Sequence, residues 1–425
     1  MSQVVPTMRD LRWANRSTLL RALYFGPSAT RLELSQSTGL SAATVTNVVT
    51  ELLAEGSVLE AGTEESQGGR PRTILTINAE HGAFIGVDVG ETHVSVELFD
   101  VLMRTRGSVT YAVAPHEQQP EPVVHHIVTG VEAVLRLAEI GPQAVIGVGV
   151  GVPGIVERTA QVLVHAPSLG WRAAPLVALL QQHLQRLGAL PLFVDNGAKA
   201  MAQAEMWFGA GRDMRHLAVV LVGTGIGAGI ITNGSLYRGA TNSAGEWGHT
   251  TLEVEGRICR CGSRGCLEAY AGASGILSHL RETAPTHPIL LIDDEERAIA
   301  ALVEAYLVGD ERARSVLAWT ARYLGVGVAN LINLFNPQLI VLGGWVGMQI
   351  GPLILPELRT VVERYALQEP LSATRIDLCQ LGQDAVAQGA ATLALDHFLA
   401  SSGRSYSRSA VRPVSRPARR RRVSP

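Results

Sequence analysis

Leu19, Leu20 and Leu23 predict a first helix, Leu32 to Ser37 a second, and Thr38-Gly39-Leu40-Ser41 reads as a tight turn. After the turn, Val45, Val48, Val49, Leu52 and Leu53 recur at i, i+3, i+4, i+7 and i+8, the apolar stripe of a third helix that Ser41 can cap and Gly56 can end. The opposite face carries Ala43, Asn47 and Thr50, with Thr44 and Thr46 on its flanks. Two β-prone runs, Val58-Leu59 and Thr73 to Ile77, enclose the polar loop Gly62 to Arg72, so a hairpin with a long tip follows. This is the order of a winged helix-turn-helix, whose third helix enters the major groove while the wing reaches the backbone or minor groove. Ala43, Thr44, Thr46 and Asn47 are then candidate base readers, and Gly69, Arg70 and Pro71 candidate wing contacts, with operator DNA as the partner. A small helical cap on a larger enzyme is the plainer alternative.

From Ala83 the pattern changes to strands and helices. Phe84 to Val89 is a continuous apolar strand running into Asp88-Val89-Gly90-Glu91-Thr92, and Val94 to Phe99 returns beside it. Leu217 to Val222, the turn Gly223-Thr224-Gly225-Ile226-Gly227 and Ala228 to Thr232 repeat the unit. Two glycine turns of this kind, each between antiparallel strands and each followed by helices, predict a duplicated α/β architecture with a cleft between the halves. Between the units lie a glycine-rich strand, Ile146 to Val156 with Pro153-Gly154, and a strand from Leu192 that passes through Asp195-Asn196-Gly197 into a helix ending near Trp207. Glu295 to Leu331 has helical spacing, and Leu339 to Leu342 is a buried strand stopped by Gly343-Gly344. The expected domains are residues 1–80 and 81–400, followed by a disordered tail, 401–425, of Ser, Pro and Arg with almost nothing to bury.

Composition sharpens this division. Of 425 residues 47% are apolar, enough for two or three domains with real cores. Lys plus Arg is 36 against 38 Asp plus Glu, but eight Arg and no acid fall after Ala400, which leaves 28 basic and 38 acidic residues, or −10, in the rest. A mildly acidic body is no blanket polyanion binder. The apolar runs are broken well short of a membrane span, the N-terminus lacks a signal pattern, and only four Cys occur, so a reducing cytoplasm is expected.

The densest chemical signal is His249, nine residues, then Cys259-Arg260-Cys261-Gly262-Ser263-Arg264-Gly265-Cys266. His249, Cys259, Cys261 and Cys266 form a Cys3His set that suits structural zinc, because no ligand position is left open. Free buried thiols or a Cys259–Cys266 disulfide are the alternatives, and Cys379 reads as a core residue. Beside the loop stand Glu246 and Glu268, two carboxylates with no obvious basic partner in sequence. Carboxylates beside an imidazole oriented by a metal are what a polyhydroxylated ligand such as a sugar requires.

Asp88-x-Gly90-x-Thr92, Pro153-Gly154, Gly223-Thr224-Gly225-Ile226-Gly227, Glu246-x-x-His249, Cys259-x-Cys261-x4-Cys266-x-Glu268 and the stretch from Asn336-Pro337 to Gly343-Gly344 resemble, in order and spacing, the ROK family of bacterial sugar kinases and repressors. The resemblance implies a winged helix-turn-helix followed by a two-lobed, actin-like (ribonuclease H-like) ATPase fold with a zinc knuckle. It implies sugar contacts at Asn196, Glu246, His249 and Glu268, and a nucleotide site around Asp88, Gly90, Thr92, Gly223, Thr224, Gly225, Gly343 and Gly344. Two departures make that nucleotide site degenerate and the body non-catalytic. The family's general base is Gly197 here, which has no side chain to accept a proton, and a glycine of the phosphate loop is Glu91, a carboxylate where phosphates would approach. Asp195 stands beside the base position, but strand alternation aims it away from Asn196. The expectation is a sugar-responsive transcriptional regulator of the repressor type. It would act as a homodimer or homotetramer, with a monosaccharide or sugar-phosphate effector and no membrane partner. A sugar kinase with a DNA-binding head is the competing reading.

Overall fold

The computed structural model describes residues 7–64, 71–158 and 161–401. Thr7 and Asp10 form a reciprocal capping box that starts α1 (Met8–Phe25), and Thr30 and Glu33 do the same for α2 (Arg31–Thr38), which follows the two-residue strand β1 (Ala29–Thr30). Gly39 ends α2 in the left-handed region, φ 71°, and Ser41 caps α3 (Ala42–Ala54) by accepting from the Thr44 amide. β2 (Val58–Glu64) and β3 (Arg72–Ile77) pair antiparallel, with β1 on the far side of β3. Val45, Val48, Val49 and Leu52 bury the predicted stripe against Leu19, Leu20, Leu23 and Leu34, while Leu53 is half-buried. Buried Arg16 pairs with Glu51 and Glu55, tying α1 to α3.

Next comes an antiparallel meander of β4 (Ala83–Val89), β5 (His93–Asp100) and β6 (Thr105–Ala112). α4 (Pro120–Leu137) leads to β7 (Val145–Val152), parallel to β4. A small sheet of β8 (Ile155–Arg158), β9 (Val162–Ala166) and β10 (Trp171–Ala174) and then α5 (Leu176–Leu184) precede β11 (Leu192–Asn196), parallel to β7. The sheet order is β6-β5-β4-β7-β11.

α6 (Gly197–Phe208) crosses to a second unit that repeats the plan. β12 (Leu217–Val222) and β13 (Ile226–Thr232) form the hairpin, with β14 (Ser235–Leu236) at its edge. After a long loop come α7 (Glu268–Ala271), α8 (Ala273–Thr283), α9 (Glu295–Leu307), α10 (Glu311–Phe335), β15 (Leu339–Gly343), α11 (Gly344–Tyr365), α12 (Gln368–Ser372), β16 (Arg375–Leu378) and α13 (Ala385–Ala400). The order β14-β13-β12-β15-β16, with β15 and β16 parallel to β12, matches the first sheet strand for strand. The duplication expected from the two glycine turns is therefore present, and each lobe has its own apolar core.

One element departs from the sequence reading, and a second forms where proline disfavours it. The helical stretch from Glu295 is broken at Gly309, φ 94°, and Asp310 caps a new helix by accepting from Ala313. α11 contains Pro352 and Pro356, which argue against a helix in sequence. It forms because Val346, Ile350, Ile354, Leu358 and Val362 bury one stripe in the core of the second lobe, and that burial outweighs two missing N–H donors.

α6 packs on β12 and β13, α13 packs on β4 and β7, and the two helices pack on each other. A Cβ at Gly389 would collide with the Ala200 carbonyl, and one at Gly149 with the Ala390 carbonyl, so glycine is what lets both approaches happen. Among the described residues, no helix is long and apolar enough to cross a membrane.

Candidate functional site

The loop between β14 and α7 gathers His249, Cys259, Cys261 and Cys266, whose ligand atoms all lie within 4.8 Å of one another. Gly262 and Gly265, at φ 91° and 72°, turn the chain so that the thiols converge. Cys261 Sγ is 3.8 Å from Cys266 Sγ, and Cys259 Sγ is 3.7 Å from His249 Nδ1. Sulfur ligands held about 2.3 Å from a tetrahedral ion stand about 3.8 Å apart, so this donor set fits a four-coordinate metal. A disulfide would need sulfurs about 2.05 Å apart, and all four cysteines are free. Cys379 is a buried core thiol beside Glu205, 2.9 Å away; burial foremost, and then that carboxylate, push it up to about 12.

Glu246 precedes the short turn Trp247–His249, and Glu268 opens α7. Glu268 is 7% exposed; its Oε2 accepts from the Ile226 amide at 2.9 Å and its Oε1 stands 3.8 Å from Arg260. Burial holds the Glu246 carboxyl above the usual range, against the pull of His249 and Lys199, while Glu268 adds to the rise. Both carboxylates therefore have cationic neighbours in the fold, Arg260 for Glu268 and Lys199 for Glu246, which were not obvious in the sequence. Lys199, the single lysine of the chain, is buried in the first turns of α6 and donates to the Asn242 carbonyl. Asn196 caps α6: its Oδ1 accepts from Ala198 and Lys199, and its Nδ2 donates to the Gly154 carbonyl at 2.8 Å, leaving one N–H for a ligand.

Gly197 is the first residue of α6 and offers nothing beyond backbone. Asp195 is fully buried, pairs with Arg158 at 3.1 Å and with Arg238, and accepts from Asn242 and the Asn196 amide. Burial raises its pKa, but the two guanidiniums and the hydrogen bonds win and hold it below the usual range. A carboxylate held this way is a poor proton acceptor at neutral pH. Arg158, Arg238 and Asn242 carry no short motif, and only the fold brings them here; Arg260 lies inside the cysteine loop, but only the fold supplies its carboxylate partners.

Asp88, Gly90 and Thr92 form the first glycine turn, where the Gly90 amide donates to His93 and His93 Nε2 lies 3.4 Å from Asp88. Gly223, Thr224 and Gly225 form the second, closed by a 2.9 Å bond from the Gly223 amide to Gly225, and Gly343-Gly344 joins β15 to α11. Glu91 is not the bare repulsive charge that the sequence suggests: Arg260 donates to it at 2.6 Å across the two lobes.

On α3, Ala43, Thr46 and Asn47 are exposed, while Thr44 is half-buried with its hydroxyl 2.9 Å from Ser41. Thr46 donates back to Ala42, so Asn47 is the polar group of this face with no internal hydrogen bond among the described residues. Pro71 is exposed just before β3, at the loop end of the hairpin; Gly69 and Arg70 lie outside the described residues.

The repeated five-stranded α/β unit with its two glycine turns is a fold found in both a sugar kinase and a transcriptional regulator of known structure. The model of the ROK family matches residues 84–397, and the chain belongs to that family. It is 31% identical to the xylose repressor of Caldicellulosiruptor bescii over 396 residues, 92% of this chain and 97% of that one. It is 32% identical to the glucokinase of Halalkalibacterium halodurans over 311 residues, 71% of this chain and 92% of that one. The crystal structure of a ROK family transcriptional regulator, a homologue of the E. coli MLC protein, superposes with a TM-score of 0.77 over 92% of this chain and 98% of that one, at 24% identity.

The Asp195 pairing sets a pH dependence. Its folded pKa is depressed, so its contribution is present above the unfolded value of about 3.9 and is lost as pH falls through the folded one. Asp195→Asn is expected to cost about 2 to 3 kcal/mol at pH 7, discounted because both arginines are partly exposed, with the gap closing below about pH 4. Thermal melts of both proteins across pH check this, and a gap that stays constant with pH contradicts it.

Proposed function

We propose that the protein is a sugar-responsive, DNA-binding transcriptional regulator of carbohydrate genes. In this reading residues 1–80 are a winged helix-turn-helix head and residues 81–400 an actin-like sensor that binds ligand without turning it over. The observation that carries it is the pairing of a head, in a chain similar to a xylose repressor along nearly its whole length, with a body whose base position is Gly197. The adjacent Asp195 is committed to two arginines and cannot take over proton transfer.

In the body, Asn196, Glu246, His249 and Glu268 hold a monosaccharide or a sugar phosphate. Zinc is the ion that suits His249, Cys259, Cys261 and Cys266, and it supplies a structural crosslink with no open position. His249 Nδ1 faces the Cys259 thiol, which leaves Nε2 to meet a ligand hydroxyl. In the head, Asn47 reads bases from α3, flanked by Ala43, Thr44 and Thr46, and Gly69, Arg70 and Pro71 are the further DNA contacts. One short helix reads few base pairs, so two heads of a homodimer, or of a homotetramer, act on paired half-sites. Ligand shifts operator affinity only by preferring one arrangement of the lobes.

Three outcomes follow. Cys261→Ser is expected to lower zinc content, measured by elemental analysis, and to lower the melting temperature of the body; full occupancy contradicts the ligand set. Asn47→Ala is expected to relax base preference at one position of each half-site by about 1 to 3 kcal/mol in a binding-site selection, and an unchanged preference removes it from the readout. The purified protein is expected to bind one of D-xylose, D-glucose or N-acetylglucosamine by calorimetry, with Glu246→Ala weakening binding by roughly 1.5 to 3 kcal/mol. ATP should leave that sugar unphosphorylated; ADP formation above the Glu246→Ala level would restore the kinase reading.

A further inference from the structure

α1 belongs to the head, yet it rests on both lobes. On one side Leu19, Leu20 and Leu23 share a buried cluster with Leu395, Phe398 and Leu399 of α13. Arg21 reaches Asp396 of the same helix at 2.5 Å, and Tyr24 Oη donates to the Val101 carbonyl at 2.8 Å, just beyond β5. α13 and β5 are parts of the first lobe. On the other side, Phe25 meets Trp207 edge-to-face with centroids 5.1 Å apart, and Tyr24 meets Phe208 at 6.5 Å. Trp207 and Phe208 are the last residues of α6, which lies on β12 and β13 of the second lobe.

α6 itself links two places of interest. Its N-cap is Asn196, in the candidate effector site, and its C-terminal aromatic pair touches the head about 18 Å away, at 1.5 Å per residue over 12 residues. The helix is close-packed between these ends, since every residue from Gly197 to Glu205 is buried and Ala200 presses on Gly389. A close-packed helix of this kind moves as a body and transmits displacement.

We infer that α1 is the element that reads lobe position, because its seat straddles the seam between α6 and α13. If the second lobe shifts against the first, Trp207 moves relative to Asp396, and α1 cannot keep both contacts. The seat on α13 is an apolar core reinforced by an ion pair, with Trp207 and Phe208 packed at its edge, whereas Phe25 is 40% exposed. The Phe25–Trp207 contact is the one that breaks and re-forms, turning lobe closure into a tilt of the head. This rests on the effector and DNA-binding roles proposed above, but one arm of the test below depends on neither.

That arm uses hydrogen exchange on the full-length protein. Glu91→Gln removes the cross-lobe ion pair with Arg260 without touching the head. The amides of the last turn of α1, Ala22 to Phe25, should exchange about threefold faster or more in that variant, and adding Phe25→Ala should abolish the increment. Protection of α1 that does not respond to Glu91→Gln overturns the inference. The second arm measures affinity for a duplex selected by the wild type, with and without D-xylose, D-glucose or N-acetylglucosamine. Phe25→Ala should still bind both sugar and duplex, while the sugar-induced change in duplex affinity falls from the 5- to 150-fold range typical of coupled sites to about 1. An unchanged sugar response in Phe25→Ala also overturns it. A wild type that responds to none of the sugars defeats the effector reading instead, and the exchange arm then decides alone.

Discussion

The close packing of α6 against α13 is the constraint on which the rest of the structure depends. Each lobe has a sheet whose inner strands are apolar on both faces, so each needs helices on both sides. At the seam one helix covers each sheet, and the two press together through Gly389 and Ala200. Everything with chemical interest hangs from the ends of this pair. Asn196, Gly197 and Lys199 lie at the start of α6, Trp207 and Phe208 at its end, and the leucines of α1 rest on the C-terminal half of α13.

Charge fixes what the seam can do. Asp195 is a fully buried carboxylate, and Arg158 from the first lobe and Arg238 from the second both claim it. It therefore acts as a tie between lobes and has no free proton-accepting capacity. Arg260 does comparable work, joining Glu91 of the first lobe to the loop that carries Cys259 and Cys261 and standing near Glu268. In the non-catalytic reading proposed above, these ion pairs occupy the places where proton transfer and phosphate approach would need open groups.

Much of this was legible in the sequence, and the reasons are specific. The α3 stripe, its Ser41 cap and the Gly39 turn were readable because local spacing and capping chemistry decide them. The Cys3His loop was readable because three thiols within eight residues leave few ways to fold around a metal. The helix through Pro352 and Pro356 was not, because burial in the second lobe overrides local propensity. Nor were the partners of Asp195: Arg158 and Arg238 lie 37 and 43 residues away in sequence and meet it only after both lobes have formed. Lys199 is a further case, a lone lysine whose partner, the Asn242 carbonyl, only the fold supplies.

The central claim is that one chain couples a sugar site to operator binding. It is tested most directly by linkage on the full-length protein, with sugar affinity measured by calorimetry in the absence and presence of saturating operator duplex, and duplex affinity by fluorescence anisotropy without and with sugar. The account requires both affinities to shift by the same factor, because coupling free energy is reciprocal. Sugar and duplex that each bind, yet leave the other's affinity unchanged, would contradict it.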